Sequence, residues 1–252
     1  MSDKLTKYLT ALGLRLPENE KELEIFENAS KDYTYVLKEE AIDPLRVLEE
    51  IKAEQRNQNN KLSKSQSFFR RLVLAAKIAD ECHNEMRFGS VKFQKLVYLC
   101  EWVSKMEFHT NYSKQAAGPF DNRFMHTVKA GFKKQGWFEV KRVTKNGIPK
   151  TIFKPLDNLD TYKPYYFRYY GAVASEIDSL INTFRTSYTN DVELVATIFE
   201  CWLEIINSNS IYSDNLIIQK VYAWNKSKKK FSEQDIVKKI VWMQEHGIYP
   251  VR

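Results

Sequence analysis

Cysteine is scarce in this chain, with three in 252 residues. That count builds no disulfide framework, and a reducing compartment is expected. The four histidines, His83, His109, His126 and His246, show no pairing at metal-ligand spacing. Cys82 and His83 are adjacent and so point to different faces of a helix, while Cys100 and Cys201 fall in apolar stripes and read as small core residues. No metal and no cofactor is expected. Glycine and proline number only 8 and 7, and 43% of residues are hydrophobic, which excludes fibrous and disordered classes. Long apolar runs are missing. The stretch Leu72–Ala76 is far below the roughly 20 residues that span a bilayer, so no membrane partner is expected. The first residues, MSDKLTKYLT, hold no apolar core of a secretory signal, and the expectation is a cytoplasmic protein. There is no Gly-rich phosphate loop, no G-x-S-x-G and no H-E-x-x-H, which leaves NTPase, serine hydrolase and zincin chemistry without support.

What the chain has in excess is positive charge in one place. Residues 1–60 hold 9 basic and 13 acidic side chains, residues 61–154 hold 19 and 7, and residues 155–252 hold 11 and 12. The whole excess of +7 therefore arises from a central segment that is itself +12. Such a segment suits a polyanion or an acidic partner surface.

Residues 1–52 read as a small helical appendage. Leu5, Tyr8, Leu9 and Leu12 share a helical face, Pro17 opens a second helix, and Asp43-Pro44 starts a third. The polar stretch 53–66, with four Asn/Gln in succession at 57–60, reads as a linker to a main domain over 67–252. In that domain helical spacing predicts helices over 67–87, 91–106 and from Asp121 or Asn122 to Gln135, with Gly136 as the stop. The stretch 137–154 alternates around Asn146-Gly147, the strongest short hairpin signal. Helices are predicted again over 165–186, 192–207, 213–225 and 232–245, the last two capped by Ser213 or Asp214 and by a capping box at Ser232. The fold class is mainly α, a helical bundle containing a winged-helix-like segment of three helices plus a β-hairpin.

In a winged helix the third helix enters the major groove and the hairpin rests on the backbone. The predicted third helix exposes Arg123, Lys129, Lys133 and Lys134, and the hairpin exposes Lys141, Arg142, Lys145 and Lys150. Cations on both elements are what phosphate neutralisation requires, so these eight form the candidate contact surface for duplex DNA. Between Tyr162 and Gly171 the chain packs six aromatics around Arg168. Tyr165, Tyr166, Arg168 and Tyr169 are the candidate partner-binding residues there, against the alternative that the aromatics bury on the hairpin and last helices. Asp121 with Glu139 and Lys141 mimics the D…E-x-K layout of metal-dependent nucleases. Asp121 is better explained as a helix cap, and the other two as the polar face of a strand. Lys226–Lys230 reads as a solvated loop, and Trp202, Trp224 and Trp242 as core anchors.

Val91-Lys92-Phe93-Gln94-Lys95-Leu96-Val97-Tyr98 resembles the K-L-Q-K-L-L-Y segment of Panacea domains, the SocA-type antitoxin module. Gly118-Pro119-Phe120 resembles that family's G-P step, with Ala116-Ala117 where an aromatic commonly precedes the glycine. A second resemblance covers roughly residues 70–252. Gln115–Asp121, Val192–Thr197, Trp224-Asn225 with Lys229, Phe231-Ser232 and Trp242–Pro250 together resemble an accessory domain of type I restriction–modification specificity subunits. The resemblance implies a bacterial defence or toxin–antitoxin setting, a binding role toward another protein of the same locus, and no catalytic residues. The expectation is a non-catalytic binding or regulatory protein. A winged-helix DNA-binding regulator and a metal-dependent nuclease are the alternatives.

Overall fold

A computed structural model describes residues 63–250 apart from 107, 109 and 146, without the side chains of 145 and 148. The appendage at 1–52 and the linker as far as residue 62 lie outside the described residues. The described chain is mainly helical. In order it forms α1 (Lys64–Cys82), α2 (Ser90–Ser104), β1 (Ser113–Gln115), β2 (Gly118–Phe120), α3 (Asn122–Gln135), β3 (Phe138–Lys145) and β4 (Ile148–Pro155). After them come α4 (Lys163–Tyr170), α5 (Ala174–Arg185), α6 (Thr189–Asn207), α7 (Asp214–Trp224) and α8 (Glu233–Glu245).

Helix α1 begins earlier than the polar composition of 53–66 predicts. Ser63 Oγ accepts from the Gln66 amide at 3.2 Å and Gln66 Oε1 accepts from the Ser63 amide at 3.0 Å. The polar run thus conceals a capping box, in which two otherwise orphaned donors are satisfied reciprocally. The helix ends at Cys82 rather than Arg87, and Phe88 in the following turns packs on Phe93 and Phe153. Around α1 lie α2, α3, α4 and α5, so Leu72–Ala76, Ile78, Ala79 and Cys82 are buried on almost every side. Gly131 of α3 permits the α1–α3 crossing, because a β-carbon there would meet both Leu72 methyls at 2.9 Å. A second group gathers on α6, which packs on α2, α7 and α8 and buries Val192 through Phe199 without interruption. Cys100 and Cys201 are buried in this core, as are Trp202 and Trp224, while Trp242 packs at its edge.

Three connections differ from the sequence expectation. The single helix predicted over 165–186 is two, α4 and α5, separated by a 3-10 turn at Gly171–Val173. Gly118-Pro119 does more than break the chain: β1 pairs antiparallel with β2, Ser113 opposite Phe120, around the turn at Ala116-Ala117. This hairpin sits between α2 and α3, where a helix-turn-helix would have only a 3–4-residue turn. Finally, Lys226–Lys230 is a 3-10 turn rather than a solvated loop. The β3–β4 hairpin follows the predicted pattern, with Phe138 opposite Pro155, Lys145 opposite Ile148, and Gly147 at φ +76° in the turn. Asn146 itself lies outside the described residues.

Candidate nucleic-acid interface

Helix α3 owes its orientation to one apolar stripe. Phe124, Val128 and Phe132 recur every four residues and are buried, so the opposite side must face water. Arg123, His126, Lys129, Lys133 and Lys134 are accordingly exposed, as expected for the four basic residues. Gly136 ends the helix at φ +71°, and Lys133 and Lys134 lie in the last turn, where cations suit the helix dipole.

The hairpin does not present its cations on one surface. Successive strand residues point to opposite faces. Phe138, Val140 and Arg142 share one face with Phe153 and Thr151, while Glu139, Lys141 and Val143 share the other with Lys154 and Lys150. Lys141 Nζ pairs with Glu139 at 2.8 Å, and with Lys154 and Lys133 nearby it holds the Glu139 carboxyl below its ordinary range. Lys150 is half-buried and donates to the Met86 carbonyl at 2.7 Å. Its amine therefore spans from the hairpin to the turn after α1. The side chain of Lys145 lies outside the described residues.

A cleft of about 610 Å³ lies between Met86–Gln94, the exposed flank of α3 and the β3–β4 hairpin. Arg87, His126, Lys129, Arg142 and Lys150 line it, and no carboxylate does. Sequence reasoning missed Arg87 and the cleft as a whole. Its walls come from segments up to a hundred residues apart, and no local pattern unites them.

The aromatic segment on α4 is also split. Tyr165 is 41% exposed, Phe167 67% exposed, and Arg168 is open to solvent. Tyr166 is buried, which removes it from any partner surface: it stacks on Tyr170 at 5.5 Å and turns toward Lys77. Tyr169 is half-buried beneath Arg70, whose guanidinium carbon lies 4.7 Å from the ring centre. The buried members pack chiefly on α1, not on the hairpin and last helices. Tyr162 donates to Asp80 and Tyr170 to the Arg70 carbonyl, each at 2.8 Å. Helical spacing misleads here because α4 is only 8 residues long and carries aromatics on all sides.

The carboxylates of the nuclease-like layout are occupied. Asp121 accepts from the Phe124 amide at 3.0 Å as the cap of α3, from the Asn111 amide at 3.2 Å and from Arg71 at 2.8 Å. Arg71 also binds Glu101 at 2.7 Å, Tyr112 donates to Glu101 at 2.8 Å, and burial pushes the Glu101 carboxyl up. This buried network joins α1, α2 and α3. Among the described residues no three His, Cys, Asp or Glu side chains converge as a metal site would require.

A second polar cluster lies in the core. Lys95 donates to the Pro119 carbonyl at 2.5 Å. Lys228 donates to Glu193 at 2.8 Å and to Thr197 at 2.9 Å, and Lys230 reaches the other Glu193 oxygen at 3.2 Å. Gly118, at φ +101°, closes the cluster, since a β-carbon there would stand 2.9 Å from Thr197 Oγ1. Burial, then the Lys228 charge, lowers the Lys95 ammonium to about 7. Most of these are motif residues: Lys95 from 91–98, Gly118-Pro119, and Glu193 and Thr197 from 192–197; Lys228 is not one, but lies between the motif residues Asn225 and Lys229. The chain matches no protein-family model and no curated protein sequence.

Proposed function

We propose that this is a non-catalytic binding protein of a bacterial defence or toxin–antitoxin system. It docks on another protein of its locus and uses the basic face of α3 and the β3–β4 hairpin to hold duplex DNA by its phosphates. One observation carries the DNA part. Between residues 108 and 156 there are ten Lys and Arg but only two acidic residues, and one of these, Asp121, is buried against Arg71. Of the ten cations, Lys114 pairs with Glu204 and Lys141 with Glu139, so the surface made by this stretch keeps a large positive excess. Arg123, Lys129, Lys133 and Lys134 supply point charges, while Asn and Gln to read base edges are few on α3. Binding is therefore weakly selective for sequence. The exposed Tyr165, Phe167 and Arg168 of α4 supply the aromatic and guanidinium groups typical of protein hot spots.

The test is fluorescence anisotropy of a labelled duplex over a salt series. The expected log–log slope is about −0.9 for each phosphate neutralised. Changing Lys133 and Lys134 together to Glu weakens binding to all sequences alike and flattens the slope by at most about 2. Both residues are exposed, so the fold survives. No binding at about 50 mM salt, where phosphate contacts are strongest, refutes the DNA reading.

A further inference from the structure

The cleft beside α3 has features that a duplex-binding face does not need. It is concave, and its volume of about 610 Å³ falls in the range of small-molecule sites. Six cationic or titratable groups, Arg87, Lys92, His126, Lys129, Arg142 and Lys150, line it from three separate parts of the chain. None of them pairs with a carboxylate of a described residue. Three are already fixed in place through neutral partners, Lys92 by the Arg185 and Ser187 carbonyls at 2.6 and 2.8 Å. Arg87 lies over the Tyr188 ring at 4.0 Å and reaches the Thr186 carbonyl at 3.4 Å, and Lys150 is held by the Met86 carbonyl. Their positions are set, yet their charges stay uncompensated. Gathering like charges around a concave surface raises the local potential, and an anion of matching size relieves it. Phe120 and Met125 on the same wall offer apolar surface to a flat ring.

We propose that this cleft binds a small phosphorylated ligand of nucleotide size. Arg142, Lys129, Arg87 and Lys150 take its phosphates, and Phe120 and Met125 take its base or another planar group. The guanidinium groups suit bidentate phosphate contacts, and the lysines add point charge. The inference goes beyond duplex binding and does not depend on it, because Lys133, Lys134, Lys141 and Lys154 have no part in it.

The experiment is calorimetric titration of the full chain with ADP at about 100 mM salt, with adenosine and inorganic phosphate as controls. ADP is expected to bind saturably, adenosine not at all, and inorganic phosphate more weakly than ADP. Arg142→Gln and Lys129→Gln should each weaken ADP roughly tenfold to a hundredfold, the range for losing one charge-assisted contact. Lys134→Gln and Lys141→Gln, outside the cleft, should leave it within about twofold. All four side chains are exposed, and an unchanged circular dichroism spectrum confirms the fold of each variant. The proposal fails if ADP gives no saturable heat up to about 1 mM, or if adenosine binds equally well. It also fails if the outer variants weaken ADP as much as the cleft variants, which would mean general attraction to positive charge. A protein that binds ADP but not duplex DNA keeps this inference and loses the DNA reading; the reverse result does the opposite.

Discussion

Five consecutive residues, Lys226-Ser227-Lys228-Lys229-Lys230, contain four chemically identical side chains that should respond very differently to removal. Lys228 is fully buried, with Nζ 2.8 Å from Glu193 and 2.9 Å from Thr197. Lys226 and Lys229 are exposed. In Lys228→Met the Glu193 carboxylate, itself buried, keeps only Lys230 at 3.2 Å, and Lys230 sits at the surface. Removing one partner of a buried ion pair costs about 3–5 kcal/mol, because the other charge is left in a medium that solvates it poorly. A domain of this size loses roughly 2–4 °C of Tm per kcal/mol, so Lys228→Met should melt about 6 to 20 °C lower. Lys226→Met and Lys229→Met should stay within about 0.5 kcal/mol of the parent. Replacing both partners, as in Glu193→Leu with Lys228→Met, should cost less than Lys228→Met alone, since no charge is stranded. Calorimetry or urea unfolding reads all of these. The difference between Lys228→Met and Lys229→Met should persist at about 0.5 M salt, which screens surface charges but not buried ones. If the two single variants unfold within about 0.5 kcal/mol of each other, the buried pair contributes nothing and the reasoning is wrong.

Lys95 offers a pH test. Its folded value near 7 lies below the roughly 10.4 of an unfolded lysine. Between the two the unfolded chain binds the extra proton, so this residue makes stability rise with pH. The window is about pH 7 to 8.5, because above it the buried thiols of Cys82, Cys100 and Cys201, all pushed up by burial, act in the opposite sense. Over that window the parent should gain on Lys95→Met by up to about 1.4 kcal/mol per pH unit in urea titrations, and parallel curves would sink the idea. Two glycines supply a contrasting pair. Gly118→Ala should lose roughly 2 kcal/mol or more, from its φ of +101° and the Thr197 hydroxyl 2.9 Å from the new carbon. Gly171→Ala, with a helical φ of −52° and nothing within 4 Å, should be neutral or gain up to about 1 kcal/mol; equal losses at the two sites would remove the argument from close packing.

Amphipathic helices were readable because their burial is one-sided. Phe124, Val128 and Phe132 define the stripe on α3, and the exposed cations follow by subtraction. The Asn146-Gly147 hairpin was readable because turn chemistry and alternation agree over eight-residue strands. Where the periodic signal is short or saturated, reading failed. Strands β1 and β2 have 3 residues each, too few to alternate. In α4 the aromatics surround the helix, so spacing could not tell buried Tyr166 from exposed Phe167. The buried lysines carried one usable sign. Helix α2 is apolar nearly all round, with Phe93, Leu96, Val97, Leu99 and Cys100 pointing in every direction. Lys92 and Lys95 within it had no exposed side left to occupy. Lys228 carried no such sign, since its partner Glu193 lies 35 residues away.

The placement of the motif residues bears on what a family likeness can mean for this chain. Among the motif residues Lys95, Gly118, Pro119, Glu193 and Thr197 are buried with Lys228 beside them, whereas Gln115, Lys229, Gln244, Glu245, His246 and Tyr249 are exposed. A side chain without access to solvent recognises no partner; its chemistry is spent on joining α2, the β1–β2 hairpin, α6 and the turn after α7. Substitution at any of the buried ones changes the fold's stability before it changes what the fold binds, so a pattern built on these positions selects for a shared interior. The cations that line α3 and the cleft, and the aromatics open on α4, are different ones: Arg87, Arg123, Lys129, Lys133, Lys134, Arg142 and the exposed members of α4. None of these falls in the quoted motifs. Two chains can therefore share every motif residue of this core and present unlike charges at α3 and the cleft. For that reason partner and ligand have to be argued from exposed groups, and the buried motif residues speak for the scaffold that holds the cations in place.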